Sequence, residues 1–147
     1  MNENEAFLRI LEKDRRFTRE TYAFVSDALS FADSLVQTCG ENPDVSPDGH
    51  MTARFFCRAT TLYASFLYGF MASEVLSQLG LRTSSDLGDV VYNLIECDLA
   101  KKSEEDSRED FDDVCDLGVE LDSMFSFSYG LDETASTQDD EEDADEE

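Results

Sequence analysis

The sequence lacks tryptophan and has only two prolines and one histidine. It is also short of positive charge: 11 Lys and Arg stand against 35 Asp and Glu, a net of −24. So acidic a chain is repelled by nucleic acid and anionic lipid and attracted to basic proteins and cations. No apolar run approaches the ~20 residues of a membrane-spanning helix. The opening Met1-Asn2-Glu3-Asn4-Glu5 has neither the basic nor the apolar region of a signal peptide. None of the four cysteines, Cys39, Cys57, Cys97 and Cys115, has a CxxC partner. Each falls in or near a helical pattern, where cysteine acts as a small hydrophobe. Reduced thiols and a cytoplasmic location are the expectation.

What is present is enough to fold. Hydrophobic residues make up 41% of the 147, including 11 Phe and 5 Tyr, which suits one domain with a single core. The charge is uneven. Residues 1–100 carry 15 acids and eight bases, residues 104–122 carry ten acids and one base, and residues 132–147 carry ten acids and no base. A helical domain over 1–131 and a disordered acidic tail over 132–147 are expected.

The apolar spacing of the body is helical. Phe7, Leu8, Ile10 and Leu11 mark a short helix over 5–14. Thr18 can cap a longer one, whose apolar face runs from Tyr22 to Val36 and which Gly40 can end. Residues 41–51 hold both prolines and read as a surface loop. Thr52 can cap a helix or helix pair over 52–79, with Phe55, Ala59, Leu62 and Phe66 spaced four, three and four apart and Phe56 and Tyr63 beside them. That stretch is almost wholly apolar around Phe66–Ala72, which predicts the centre of the fold, with a break at Gly69. Gly80 can follow its end.

Thr83 and Asp86 have capping-box spacing ahead of Leu87, Val90, Val91, Leu94 and Ile95. Asp106-Ser107-Arg108-Glu109 repeats the cap pattern before a short helix through Phe111 to about Leu117. Residues 118–131 alternate Met124, Phe125, Phe127 and Tyr129 with serine, as a terminal strand or an aromatic strip would. The expected fold is mainly α, a compact bundle of about five to six helices. A helix from Thr83 followed by Leu99-Ala100-Lys101-Lys102 also fits a winged-helix-like C-terminal half.

Several short segments, in order, carry a family resemblance. They are Asp14-Arg15-Arg16-Phe17, Thr21-Tyr22-Ala23-Phe24-Val25, His50-Met51-Thr52 and Tyr68-Gly69-Phe70-Met71-Ala72. Leu79-Gly80-Leu81, the run Ser85–Ile95, and Lys102–Ser107 with Asp110-Phe111 complete the set. Over residues 7–117 the chain resembles a family of small conserved hypothetical proteins from Planctomycetes and Verrucomicrobia. The resemblance implies a shared fold and origin, and it implies no activity, cofactor or catalytic residue.

Candidate sites are few. His50 stands alone in a Pro/Gly loop, with Cys39 and Cys57 too far along the chain for zinc spacing. A structural role is expected for it. Asp106, Asp110, Asp112, Asp113 and Asp116 lack the Gly and terminal Glu of a calcium loop and read as a solvated face. Arg9, Lys13, Arg15, Arg16 and Arg19 are the one basic concentration. They fit either a phosphate or RNA contact or, the favoured reading, neutralisation of acids elsewhere on the body or in the tail. The helix after Thr83 offers Asp86, Asp89, Glu96 and Asp98 where a DNA reader would want Arg, Lys, Asn or Gln. Gly-rich phosphate loops, GxSxG and HExxH are missing. No cofactor or metal is expected.

The leading expectation is therefore a non-enzymatic protein-interaction domain whose acidic surface and tail engage a basic protein partner. The alternative is a nucleic-acid- or ribosome-associated factor using residues 9–19, modulated by the tail. An enzyme of another type comes third, and a concave pocket holding His50 would favour it.

Overall fold

The computed structural model describes residues 2–101 and 106–125. Five α-helices are built from local signals legible in the chain: α1 (Glu3–Lys13), α2 (Arg19–Thr38), α3 (Ala53–Tyr68), α4 (Ala72–Gln78) and α5 (Ser84–Glu96). A 3₁₀ turn, Gly69–Met71, joins α3 to α4, and a second, Arg108–Phe111, follows α5. Residues 117–125 are again helical. The fold is mainly α, as the spacing predicts.

The start signals act as expected. The side chains of Thr18, Thr52 and Thr83 each accept a hydrogen bond from the backbone N–H three residues on. Asp86 reaches back to the Thr83 N–H at 3.2 Å, closing the box. Gly40 and Gly80 follow the ends of α2 and α4 with φ of +71° and +82°, a conformation without penalty only for glycine. Gly69, at φ +55°, ends α3 where the sequence predicts a break. The loop 41–51 is a turn-rich connector, with the Thr52 N–H donating to the Asp44 carbonyl at 2.9 Å.

Helix α2 packs mainly on α3 and also on α5, while α5 packs on the 108–111 turn. Tyr22, Val25, Ala28 and Ala32 of α2 meet the core with Phe56, Ala59 and Ala64 of α3, Leu76 of α4, and Leu87, Val90 and Leu94 of α5. Small residues along α2 let these helices approach closely.

Two expectations are corrected. The first concerns α3. Its buried face is Phe56, Cys57, Ala59, Thr60, Thr61 and Ala64, so of the Phe55–Ala59–Leu62–Phe66 stripe only Ala59 is buried. Phe66, Leu67, Phe70 and Met71, read from the sequence as the centre of the fold, are 69%, 50%, 84% and 58% exposed. The second concerns 108–117, which is not one helix. Ser107, not Asp106, is the cap, with Asp110 returning to its N–H at 3.0 Å. The chain then extends at Asp112 and takes a positive φ at Asp113. Backbone groups of 115–117 pair with Arg82 and Ser84: Ser84 N–H to the Cys115 carbonyl, and Leu117 N–H to the Arg82 carbonyl, both 2.9 Å. A strap over α5 takes the hydrogen bonds that a continuing helix would use.

The winged-helix option turns on Leu99–Lys102, of which Leu99 and Ala100 form a bend and Lys102 lies outside the described residues. Residues 118–125 are helical rather than a strand, while 126–131, Lys102 and the expected tail 132–147 lie outside the described residues.

Candidate functional site

The basic cluster does not form one free positive face. Arg16 donates to Asp14 at 2.7 Å and to Asp89 at 3.0 Å, and Lys13 pairs with Glu96. Arg19 lies over the Phe7 ring at 5.9 Å. All five bases are exposed, but Arg9 and Lys13 share their surface hollow with Glu12 and Glu96. Two of the five are thus engaged with acids of the body.

The Asp14 carboxylate is the centre of this arrangement. It accepts from Arg16 and, at 3.0 Å, from the Asn93 amide, which also donates to the Tyr22 hydroxyl at 3.1 Å. The Arg16 hydrogen bonds, against the opposing pull of burial and with help from Asn93, hold its pKa at about 2. Burial pushes the Tyr22 phenol up to about 12. Asp89 is shared, taking Arg16 on one oxygen and Arg108 on the other at 2.7 Å. Arg108 also reaches Asp112 and the Ser85 carbonyl at 2.9 and 2.8 Å. The network ties the α1–α2 connector, α5 and the strap together. Its geometry is that of a structural clamp.

A cleft of about 500 Å³ opens between α2, the start of α3, α5 and residues 99–101 and 106–111. Its floor is apolar, with Leu29, Phe56, Val91 and Phe111, and His50 and Asp106 stand among the polar groups of its wall. The His50 Nε2 and an Asp106 carboxylate oxygen are 2.8 Å apart across 56 residues of sequence. Burial, then Asp106 and Asp110, pushes the Tyr92 phenol above its ordinary value. The acids Asp33, Asp106 and Asp110 line the cleft together with Lys101. The volume falls in the range of small-molecule sites, and with His50 in its wall the cleft is the concave pocket that would favour the enzyme reading. Sequence reading placed His50 in a loop but did not bring it to Asp106 or to a cleft. No local signal spans such a separation. Among the described residues, no group of three or more His, Cys, Asp or Glu is placed to hold a metal.

The remaining feature is the apolar corner at the α3–α4 junction. Phe66, Leu67, Phe70 and Met71 project there, with the Phe66 ring edge-on to Phe31 at 5.9 Å. The Phe70 ring lies 4.9 Å from Phe125, so the 117–125 helix borders the patch. Val119 and Met124 of that helix are also exposed, at 63% and 38%. Large contiguous apolar surface on a folded chain marks an interaction site.

No helix among the described residues is long and apolar enough to cross a membrane. Searches against family models, curated proteins and solved structures returned no match to this chain.

Proposed function

We propose that this chain is a non-enzymatic protein-interaction domain that docks a basic, amphipathic segment of a partner protein on the α3–α4 corner. One observation carries the reading: Phe66, Leu67, Phe70 and Met71 stand in solvent, 50% to 84% exposed, in a sequence with enough apolar spacing to have buried them. Charge sets the partner's chemistry. Glu74, Glu120 and Asp122 are exposed on the elements that bear or border the patch, and residues 132–147 add ten acids without a base. A partner helix with a large apolar anchor and flanking Lys or Arg satisfies both features. The resemblance to the planctomycete and verrucomicrobial family enters here as a proposal of common origin.

The test uses the full chain as bait at low and high salt, beside Phe70→Asp. That side chain is 84% exposed, so folding should change by no more than about 0.5 kcal/mol. Loss of an aromatic anchor costs an interface about 2 kcal/mol or more, roughly 30-fold in affinity. The expected result is a basic protein retained by wild type, weakened by salt and lost with Phe70→Asp. Equal retention by the variant sinks the reading.

The cleft supports a second reading, in which it takes a small organic cation. What favours it is the group of acids, Asp33, Asp106 and Asp110, that lines the same cleft as Tyr92 above an apolar floor. Choline and its neutral isostere 3,3-dimethylbutan-1-ol separate charge from shape. Saturable binding of choline alone, weakened about tenfold by Asp106→Asn, is expected. Equal binding of both compounds, or of neither, removes this reading. The nucleic-acid alternative keeps Arg9, Arg15 and Arg19 but shares Lys13 and Arg16 with body acids, and measuring RNA binding after deletion of 132–147 decides it.

A further inference from the structure

Cys57 and Cys115 are 58 positions apart in sequence, and the fold brings them together. Cys57 lies on the buried face of α3, 1% exposed, while Cys115 sits half-buried on the strap. Both thiols line one open hollow of about 230 Å³ beside Arg54, Arg58 and Glu120, and each shifts the titration of the other. Both are free thiols.

The strap holds Cys115 in place from several sides. The Ser84 hydroxyl accepts from the Val114 and Cys115 N–H groups at 3.2 Å each, and the Cys115 carbonyl accepts from the Ser84 N–H at 2.9 Å. Cys57 is fixed by helix packing. The sulfurs are thus a held pair rather than two chance neighbours.

We propose that Cys57 and Cys115 form an oxidation site, where a hydroperoxide converts the thiol pair to a cystine that staples the strap to α3. Cys115, open to the hollow, is the attacking sulfur. Cys57 draws the Cys115 pKa below the ordinary thiol value, favouring the thiolate that reacts. Cys115, with burial, raises Cys57. In the first step the Cys115 thiolate attacks one peroxide oxygen and the O–O bond breaks. The departing hydroxide takes up the thiol's proton as water, leaving Cys115 as a sulfenic acid. In the second, the Cys57 sulfur attacks the Cys115 sulfur, the S–S bond forms, and the S–O bond breaks. The Cys57 proton leaves with the second water. Two thiols lose two electrons in all, and one hydrogen peroxide becomes two waters.

The test treats the full chain with one equivalent of hydrogen peroxide, then alkylates and maps peptides. The expected result is a Cys57–Cys115 cross-linked peptide pair, about 2 Da lighter than the two reduced peptides and released by dithiothreitol. Cys57→Ser should leave Cys115 as a sulfenic acid that dimedone traps. Earlier oxidation of the exposed Cys39, or over-oxidation of Cys115 without a cross-link, overturns the proposal. If Cys57→Ser does not fold, the wild-type peptide map decides alone.

Discussion

The Asp14 carboxylate takes one partner from two positions on, Arg16, and another from 79 positions away, Asn93. It titrates near 2 in the fold and near 3.8 unfolded. The unfolded state thus binds the proton more readily, and stability is present above about pH 4 and lost as pH falls towards 2. With the exposed Arg16 screening part of the effect, the contribution is on the order of 1–2 kcal/mol. Asp14→Asn should lower stability by that amount at pH 7, and the gap to wild type should close near pH 2 in denaturant titrations. Tyr22 acts at the other end of the scale. Its pKa is about 12 in the fold against 10.0 unfolded, so stability is present below pH 10 and lost as pH rises towards 12. His50 was read as a structural loop residue, and its pairing with Asp106 depends on how α2, α3 and α5 converge, which no spacing encodes.

At the scale of elements, the strap from 107 to 117 is the part the sequence misled on. Its residues have helical caps and acids, yet Ser84 and Arg82 take its backbone groups. Ser84 is buried and its hydroxyl donates to the Phe111 carbonyl while accepting two N–H groups. Ser84→Ala leaves these buried groups unpaired and should cost about 2–3 kcal/mol, seen as a lower melting midpoint. Gly88 is the other control point. A Cβ there would stand 2.6 Å from the Phe111 Cβ, so Gly88→Ala should cost about 1–3 kcal/mol by overpacking. The same measurement checks it, and an unchanged midpoint would mean the turn does not rest on α5. For α3, period alone could not decide which of two adjoining stripes faces inward. Phe55–Ala59–Leu62–Phe66 and the flanking Phe56 and Tyr63 are all apolar, and of these only Phe56 and Ala59 are buried, in one core with Ala28 and Ala32 of α2.

The whole molecule carries a net charge of −24, and self-repulsion opposes the compact state. Screening relieves it, so the melting midpoint should rise as sodium chloride goes from about 10 to about 150 mM, where the Debye length shrinks to about 8 Å. A falling midpoint would mean that ion pairs such as Arg16–Asp89 outweigh the repulsion. The same excess of acid, beside the exposed apolar residues Phe66, Leu67, Phe70 and Met71, is the basis for assigning a basic amphipathic partner. A photo-activated phenylalanine analogue at position 70, compared with the same group at the exposed Leu8 of α1, tests that assignment most directly in cells. The expected result is a cross-link from position 70 alone, to a peptide with Lys or Arg around an apolar run. Equal cross-linking from position 8, or a partner peptide without basic residues, would contradict it.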